Sequence, residues 1–183
     1  MSLRIPLHGR RDCWRAPPPP RPDPVHPWLT DPGSLTARIA ARCERVSVRV
    51  LAQHMDIPNA DEAALLGTRR GERVWLREVL LLADGRPVVH ARSLMPRERG
   101  WRLFGTIGSR PLGHALFADP HVSRGRLTAR RLDARDRRYH RAIAVAESTQ
   151  GATLWARRSL FTRQSGRLLV CEVFLASILD LPT

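Results

Sequence analysis

The chain contains no lysine: all 31 of its Lys-plus-Arg total are arginines, set against 17 acidic residues for a net charge of +14. A surface shaped to track phosphates would keep both cations. Arginine alone, in a background of Ala, Leu and Pro, reads as a composition bias, and no nucleic-acid partner is expected. Aromatic residues are also scarce, 5% of the chain with a single tyrosine, which leaves little for a base-stacking platform. A positive field still raises the on-rate of a small anionic ligand, whatever its origin. The three cysteines, Cys13, Cys43 and Cys171, are odd in number, far apart and without CxxC spacing. That argues against a disulfide framework and a zinc site, and a reducing cytoplasm is expected. No apolar run approaches the ~18 residues of a membrane span, and the N-terminus lacks the apolar stretch of a signal peptide, so no membrane insertion is expected.

A chain of 183 residues suits one domain, able to bury roughly two-thirds of its unfolded surface and to enclose a ligand. Residues 1–28 are rich in Arg and Pro, with PPPPRPDP at Pro17 to Pro24, and are expected to form a loosely held extended arm. Residues 29–183 form the expected domain. Ser34 is a candidate N-cap for a helix over 35–45, because Leu35, Ile39 and Cys43 follow at helical spacing. Val46, Val48 and Val50 then alternate with polar residues as a half-buried strand, and 55–73 read as a connector with one helical turn. A polar loop after Pro96 leads to a short helix around Leu112 to Phe117, and Arg126 to Leu132 read as a strand. Within residues 133–150, Tyr139 to Ala146 read as a small surface helix. A final hairpin pairs 153–162 with 167–175 through Arg163-Gln164-Ser165-Gly166. The expected fold class is α+β, one antiparallel sheet of about six strands with helices on one face.

Residues Val74 to Pro96, VWLREVLLLADGRPVVHARSLMP, contain a hairpin whose Asp84-Gly85 pair accepts the positive φ of a tight turn. Alternation puts Trp75, Arg77, Val79 and Leu81 on one side. A guanidinium among such neighbours needs a counter-charge, either a protein carboxylate or an anionic ligand. Glu172 is the only charge within Leu168 to Leu175, a strand apolar on both faces, where an unpaired carboxylate would have a raised pKa and could act as a general acid. In the plainer reading, Arg77 and Glu172 simply pair with each other. His90 and Arg92 share one face of the hairpin's second strand. Arg157 and Arg158 are adjacent, so one should point inward and one outward.

Five blocks, SLTARIAARCERVSVRVL, the hairpin with WLRE at its head, RPLGHALF, LWARRSLF and GRLLVCEVFL, stand in an order and spacing that resemble the chorismate lyases of ubiquinone biosynthesis. The resemblance covers Leu29 to Leu175. It implies that chorismate loses pyruvate to give 4-hydroxybenzoate, without cofactor or metal, in a monomer. It also implies that Arg77 clamps the ring carboxylate and that Glu172 faces the 4-hydroxyl and ether oxygen. Leu35 and Leu112 fall where the family makes main-chain contacts to ligand. Against the family pattern, residues 133–150 read as an insertion, and the C-terminal FLASILDLPT also departs from it. The rival expectation is a non-catalytic effector-binding domain of the same fold; such domains normally follow a DNA-binding winged helix, for which the segment before Leu29 is too short and too rich in proline.

Overall fold

The computed structural model describes residues 13–18, 23–97, 108, 110–146, 152–164 and 166–182. Two short helices come first, α1 (His26–Thr30) and α2 (Leu35–Ala40). Ser34 caps α2, its Oγ accepting a hydrogen bond from the Ala37 N–H at 3.3 Å. The helix ends five residues before position 45, where the chain tightens and the Arg42 N–H bonds the Ile39 carbonyl at 2.9 Å. Strand β1 (Val46–Asp56) follows and runs well past Val50. A bulge between Val50 and Ala52 shifts its register, which breaks the side-chain alternation that made only its first half readable. Helix α3 (Ala60–Leu66) starts where the Asn59 N–H donates to Glu62 Oε2 at 2.8 Å.

Strands β2 (Val74–Ala83) and β3 (Arg86–Pro96) form the expected hairpin. Asp84 and Gly85 both have positive φ, 48° and 83°, as a two-residue turn that matches strand twist requires. Then come α4 (Leu112–Ala118), β4 (Ser123–Arg124), β5 (Thr128–Leu132), α5 (Arg137–Ala146), β6 (Leu154–Arg163), β7 (Gly166–Phe174) and a 3-10 turn at Ala176–Asp180. The seven strands form one antiparallel sheet in the order β1-β2-β3-β7-β6-β4, with β5 also pairing to β6. Pairing of β3 with β7 joins the two hairpins. The extra strand over the expected six is the two-residue β4. Most of the expected polar loop after Pro96 and the turn residue Ser165 lie outside the described residues.

Helices cover both faces of the sheet, not one. On the front, α1, α2 and the 3-10 turn pack on Val79, Leu81, Val89 and Phe174, while α4 packs Leu112 and Leu116 against Phe161 and Leu168. On the back, α5 sets Tyr139, Ala142 and Ala146 against Leu80, Leu82, Cys171 and Val173, and the Leu66 end of α3 packs on Leu76, Leu94 and Leu169. A strand apolar on both sides, as β7 is, leaves one face in water unless both are covered. The helix of the 133–150 segment is therefore half core, a correction to its expected place on the surface. Part of the N-terminal arm is docked too. Trp14 is buried, its Nε1 donates to Asp61 Oδ2 at 3.0 Å, and Arg15 exchanges backbone hydrogen bonds with Ala129. Residues 1–12 and 19–22 lie outside the described residues. No helix among the described residues is long and apolar enough to cross a membrane.

Candidate active site

Between the front of the sheet and the helices lies a cavity lined mostly by apolar side chains with a few charged ones, the usual make-up of a small-molecule site. Leu35, Arg77, Leu112 and Glu172 all line it. These four positions are far apart in sequence, and the fold brings them to one surface. Leu35 and Leu112 are the first residues of α2 and α4, so their backbone N–H groups are among those a helix start leaves without an intrahelical acceptor. The two helices meet closely there. A Cβ on Gly113 would stand 2.9 Å from the Oγ of Ser34, the cap of α2, so only glycine lets both helix starts reach the cavity without displacing that cap.

Arg77 is 2% exposed. Its position in β2 lies between Gln53 of β1 and Ser93 of β3, and its Nη2 donates to the carbonyls of Gly108 at 2.9 Å and Arg110 at 3.3 Å. Its Nε is buried without a hydrogen-bond partner. Among the described residues no carboxylate forms an ion pair with it. Burial pushes its guanidinium below the usual arginine value, and no described acid neutralises it. The plainer expectation, an Arg77–Glu172 ion pair, is not what the fold builds.

Glu172 has another partner. Arg157, directly across on β6, donates from Nε to Glu172 Oε2 at 2.6 Å, and its Nη1 donates to the carbonyls of Trp28 at 2.7 Å and Asp31 at 3.0 Å. Arg157 is wholly buried and Glu172 partly so, at 0% and 13% side-chain exposure. The general-acid expectation assumed a carboxylate without counter-charge, and that premise does not hold. No described residue donates to Oε1.

Arg158 points to the back, as adjacency in a strand requires, but not into water: it is 3% exposed, donates from Nη1 to Asp61 Oδ2 at 2.8 Å, and stacks 4.4 Å from the Trp14 ring. His90 and Arg92 are on the back as well. His90 Nε2 hydrogen-bonds Glu78 Oε1 at 2.9 Å, and Arg92 pairs with Asp56 at 3.0 Å. The sheet separates both from the cavity.

One lining residue escaped the sequence reading. Arg124 of β4 lines the same cavity, donating from Nε to Ser159 Oγ at 2.9 Å and from Nη1 to the carbonyls of Pro32 and Gly33 at 2.8 and 3.1 Å. Burial lowers its pKa; Glu172 opposes that effect and Arg157 adds to it. In a chain of 31 basic residues, all arginine, nothing local marks it out.

The open antiparallel sheet with helices on both faces is a fold shared with ligand-binding domains of bacterial regulators. The chain is similar in fold to the C-terminal domain of a histidine utilization repressor from Pseudomonas syringae, with TM-score 0.57 at 12% identity over 73% of this chain and 93% of that one. It is likewise similar in fold to the effector domain of PhnF from Mycobacterium smegmatis, with TM-score 0.56 at 16% identity over 79% of this chain and 90% of that one. Sequence separates it from both. Residues 14–180 match the chorismate lyase family, and the chain belongs to that family, which is one of lyases. It is 58% identical to a probable chorismate pyruvate-lyase of Aromatoleum aromaticum, over 99% of this chain and 100% of that protein. Identity to the probable chorismate pyruvate-lyase of an Azoarcus species is 52%, over 93% and 94%.

Proposed function

We propose that this protein is a chorismate pyruvate-lyase that converts chorismate to 4-hydroxybenzoate and pyruvate, supplying the ring of ubiquinone from the cytoplasm as a monomer. The observation that carries the reading is a buried guanidinium, Arg77, with no carboxylate partner among the described residues, in one cavity with the carboxylate of Glu172. All four expected site residues come from a single chain.

Arg77 is assigned the ring carboxylate, for which its two carbonyl bonds leave Nη1 available. A guanidinium fixes the plane of a carboxylate as well as its charge. The backbone N–H groups of Leu35 and Leu112 add donors near the same ligand, and their side chains close the apolar wall. Glu172, held through Oε2 by Arg157, turns Oε1 to the 4-hydroxyl as an acceptor, the role we assign in place of proton donor. In the reaction the C4–H electron pair closes the aromatic ring as the C3–O bond breaks. The enolpyruvyl group departs with that bonding pair, and a proton added at its methylene carbon balances the one lost from C4. Aromatisation supplies the driving force, so the residues need only bind, orient and exclude water.

The test is to mix purified protein with chorismate and quantify both products together. Equal amounts of 4-hydroxybenzoate and pyruvate, lost in Glu172→Gln and Arg77→Ala while both variants keep the wild-type circular dichroism, are expected. Intact chorismate in the presence of folded wild type would sink the reading and leave a binding domain without turnover.

A further inference from the structure

We propose that Arg124 is the second carboxylate clamp of this cavity, taking the enolpyruvyl carboxylate while Arg77 takes that of the ring. This rests on the lyase reading above for the identity of the diacid. The placement comes from the sheet. Arg77 stands opposite Ser93, Ser93 opposite Val170, and Val170 opposite Ser159, and the Arg124 Nε reaches the Ser159 hydroxyl. The two side chains thus reach that cross-strand row from opposite sides; the Arg124 backbone, paired with Phe161, sits two residues along β6 from it and four strand spacings of ~4.8 Å from Arg77. Glu172 lies two residues beyond Val170 on the same face, between them.

Arg124 is fixed in place without being neutralised. Three hydrogen bonds to neutral oxygens hold it, and its guanidinium lies 5.6 and 5.3 Å from the ring centroids of Phe117 and Phe161. Among the described residues no carboxylate forms an ion pair with it, and its Nη2 has no hydrogen-bond acceptor. Arg157, by contrast, is matched to Glu172. The cavity therefore presents two guanidiniums without an ion pair among the described residues and one closed ion pair, with Glu172 and Asp31 near enough to act on the charge of Arg124, an arrangement that suits a dianion with its acids at opposite ends. Once pyruvate leaves, the product carries a single carboxylate and Arg124 loses its ligand. Binding energy at Arg124 is then available to the substrate and not to the aromatic product.

The experiment compares two stable ligands by calorimetry: 4-hydroxybenzoate, and the diacid 3-(carboxymethoxy)-4-hydroxybenzoate, which keeps an ether-linked carboxylate but cannot aromatise further. Arg124→Gln is expected to weaken the diacid roughly 10- to 100-fold, the range for a lost charge-assisted hydrogen bond, and to leave 4-hydroxybenzoate within about twofold. KM for chorismate should rise in step, and Arg124→Lys should restore part of the loss. Arg77→Ala should weaken both ligands. Equal weakening of both ligands by Arg124→Gln would reveal a merely structural residue, and no weakening of either would equally overturn the clamp. If wild type leaves chorismate intact, the lyase reading falls, while the diacid-to-monoacid ratio still decides the role of Arg124.

Discussion

On the back of the sheet every buried arginine meets an acid. Arg158 and Arg138 both bond Asp61, Arg138 also reaches Glu62 and Asp136, and Arg92 pairs with Asp56. On the front, Arg77 and Arg124 meet only carbonyls and a hydroxyl among the described residues. Arg77 is as deeply buried as the arginines of the back face and Arg124 is half-buried, so one residue type is used in two ways on the two sides of one sheet. A buried guanidinium must be compensated. The back face does so with its own acids and gains a brace; on the front Glu172 answers Arg157, while Arg77 and Arg124 have no ion pair among the described residues, and under the proposed function a ligand supplies the missing charge.

Breaking the back is the largest expected effect. Asp61→Ala leaves Arg138 and Arg158 short of their shared partner and should cost about 3–5 kcal/mol, lowering the melting temperature by roughly 6–20 °C for a chain of this size. The activity of molecules that remain folded should be unchanged. An unmoved melting curve would mean that the network does not brace the fold. The front should behave in the opposite sense. Arg77→Leu replaces an uncompensated charge by an apolar side chain, so scanning calorimetry should find the ligand-free protein as stable as wild type or more so. What disappears is the stabilisation by 4-hydroxybenzoate, about 2.7 kcal/mol for wild type at a hundred times its Kd.

A smaller effect separates the faces by pH. Burial alone would raise the Asp61 carboxyl, but Arg138, Arg158 and the Trp14 N–H hold it below the ordinary 3.8. Burial likewise opposes, and His90, Arg141 and Arg92 outweigh it, to place Glu78 below 4.5. Both groups bind protons more weakly folded than unfolded. Their contribution is therefore complete above the ordinary carboxylate range and is lost as pH falls through their lower folded values. The urea midpoint should drop on acidification below about pH 4, and the drop should be shallower in Asp61→Ala. The smallest test reads packing on the back alone. Burial pushes the Cys171 thiol up to about 12, whereas Cys13 is exposed. Iodoacetamide at neutral pH should label Cys13 and spare Cys171 until denaturant is added.

Much of the front was legible because its signals are local. Asp84-Gly85 carries its own turn chemistry, Ser34 its own cap, and a lone Arg77 or Glu172 in an apolar strand announces a charge that must be answered. The answers were not legible. Arg157 meets Glu172 only because β6 and β7 pair in a particular register, and Arg158, one residue away, is turned to the opposite face and to Asp61, 97 residues distant. The bulge in β1 hid half a strand by breaking its alternation. The helix of residues 137–146 read as surface because its apolar face has no visible partner until the sheet supplies one.

What the sequence by itself determined is the set of elements, their turns and caps, and the two charged residues placed where water is scarce; each follows from side-chain chemistry acting over a few residues. Only the tertiary structure decided which charges neutralise one another, that both faces of the sheet are covered, and that Arg124 joins Arg77 at one cavity. Pairing and compensation depend on distances in space between segments distant along the chain, and no local propensity encodes them.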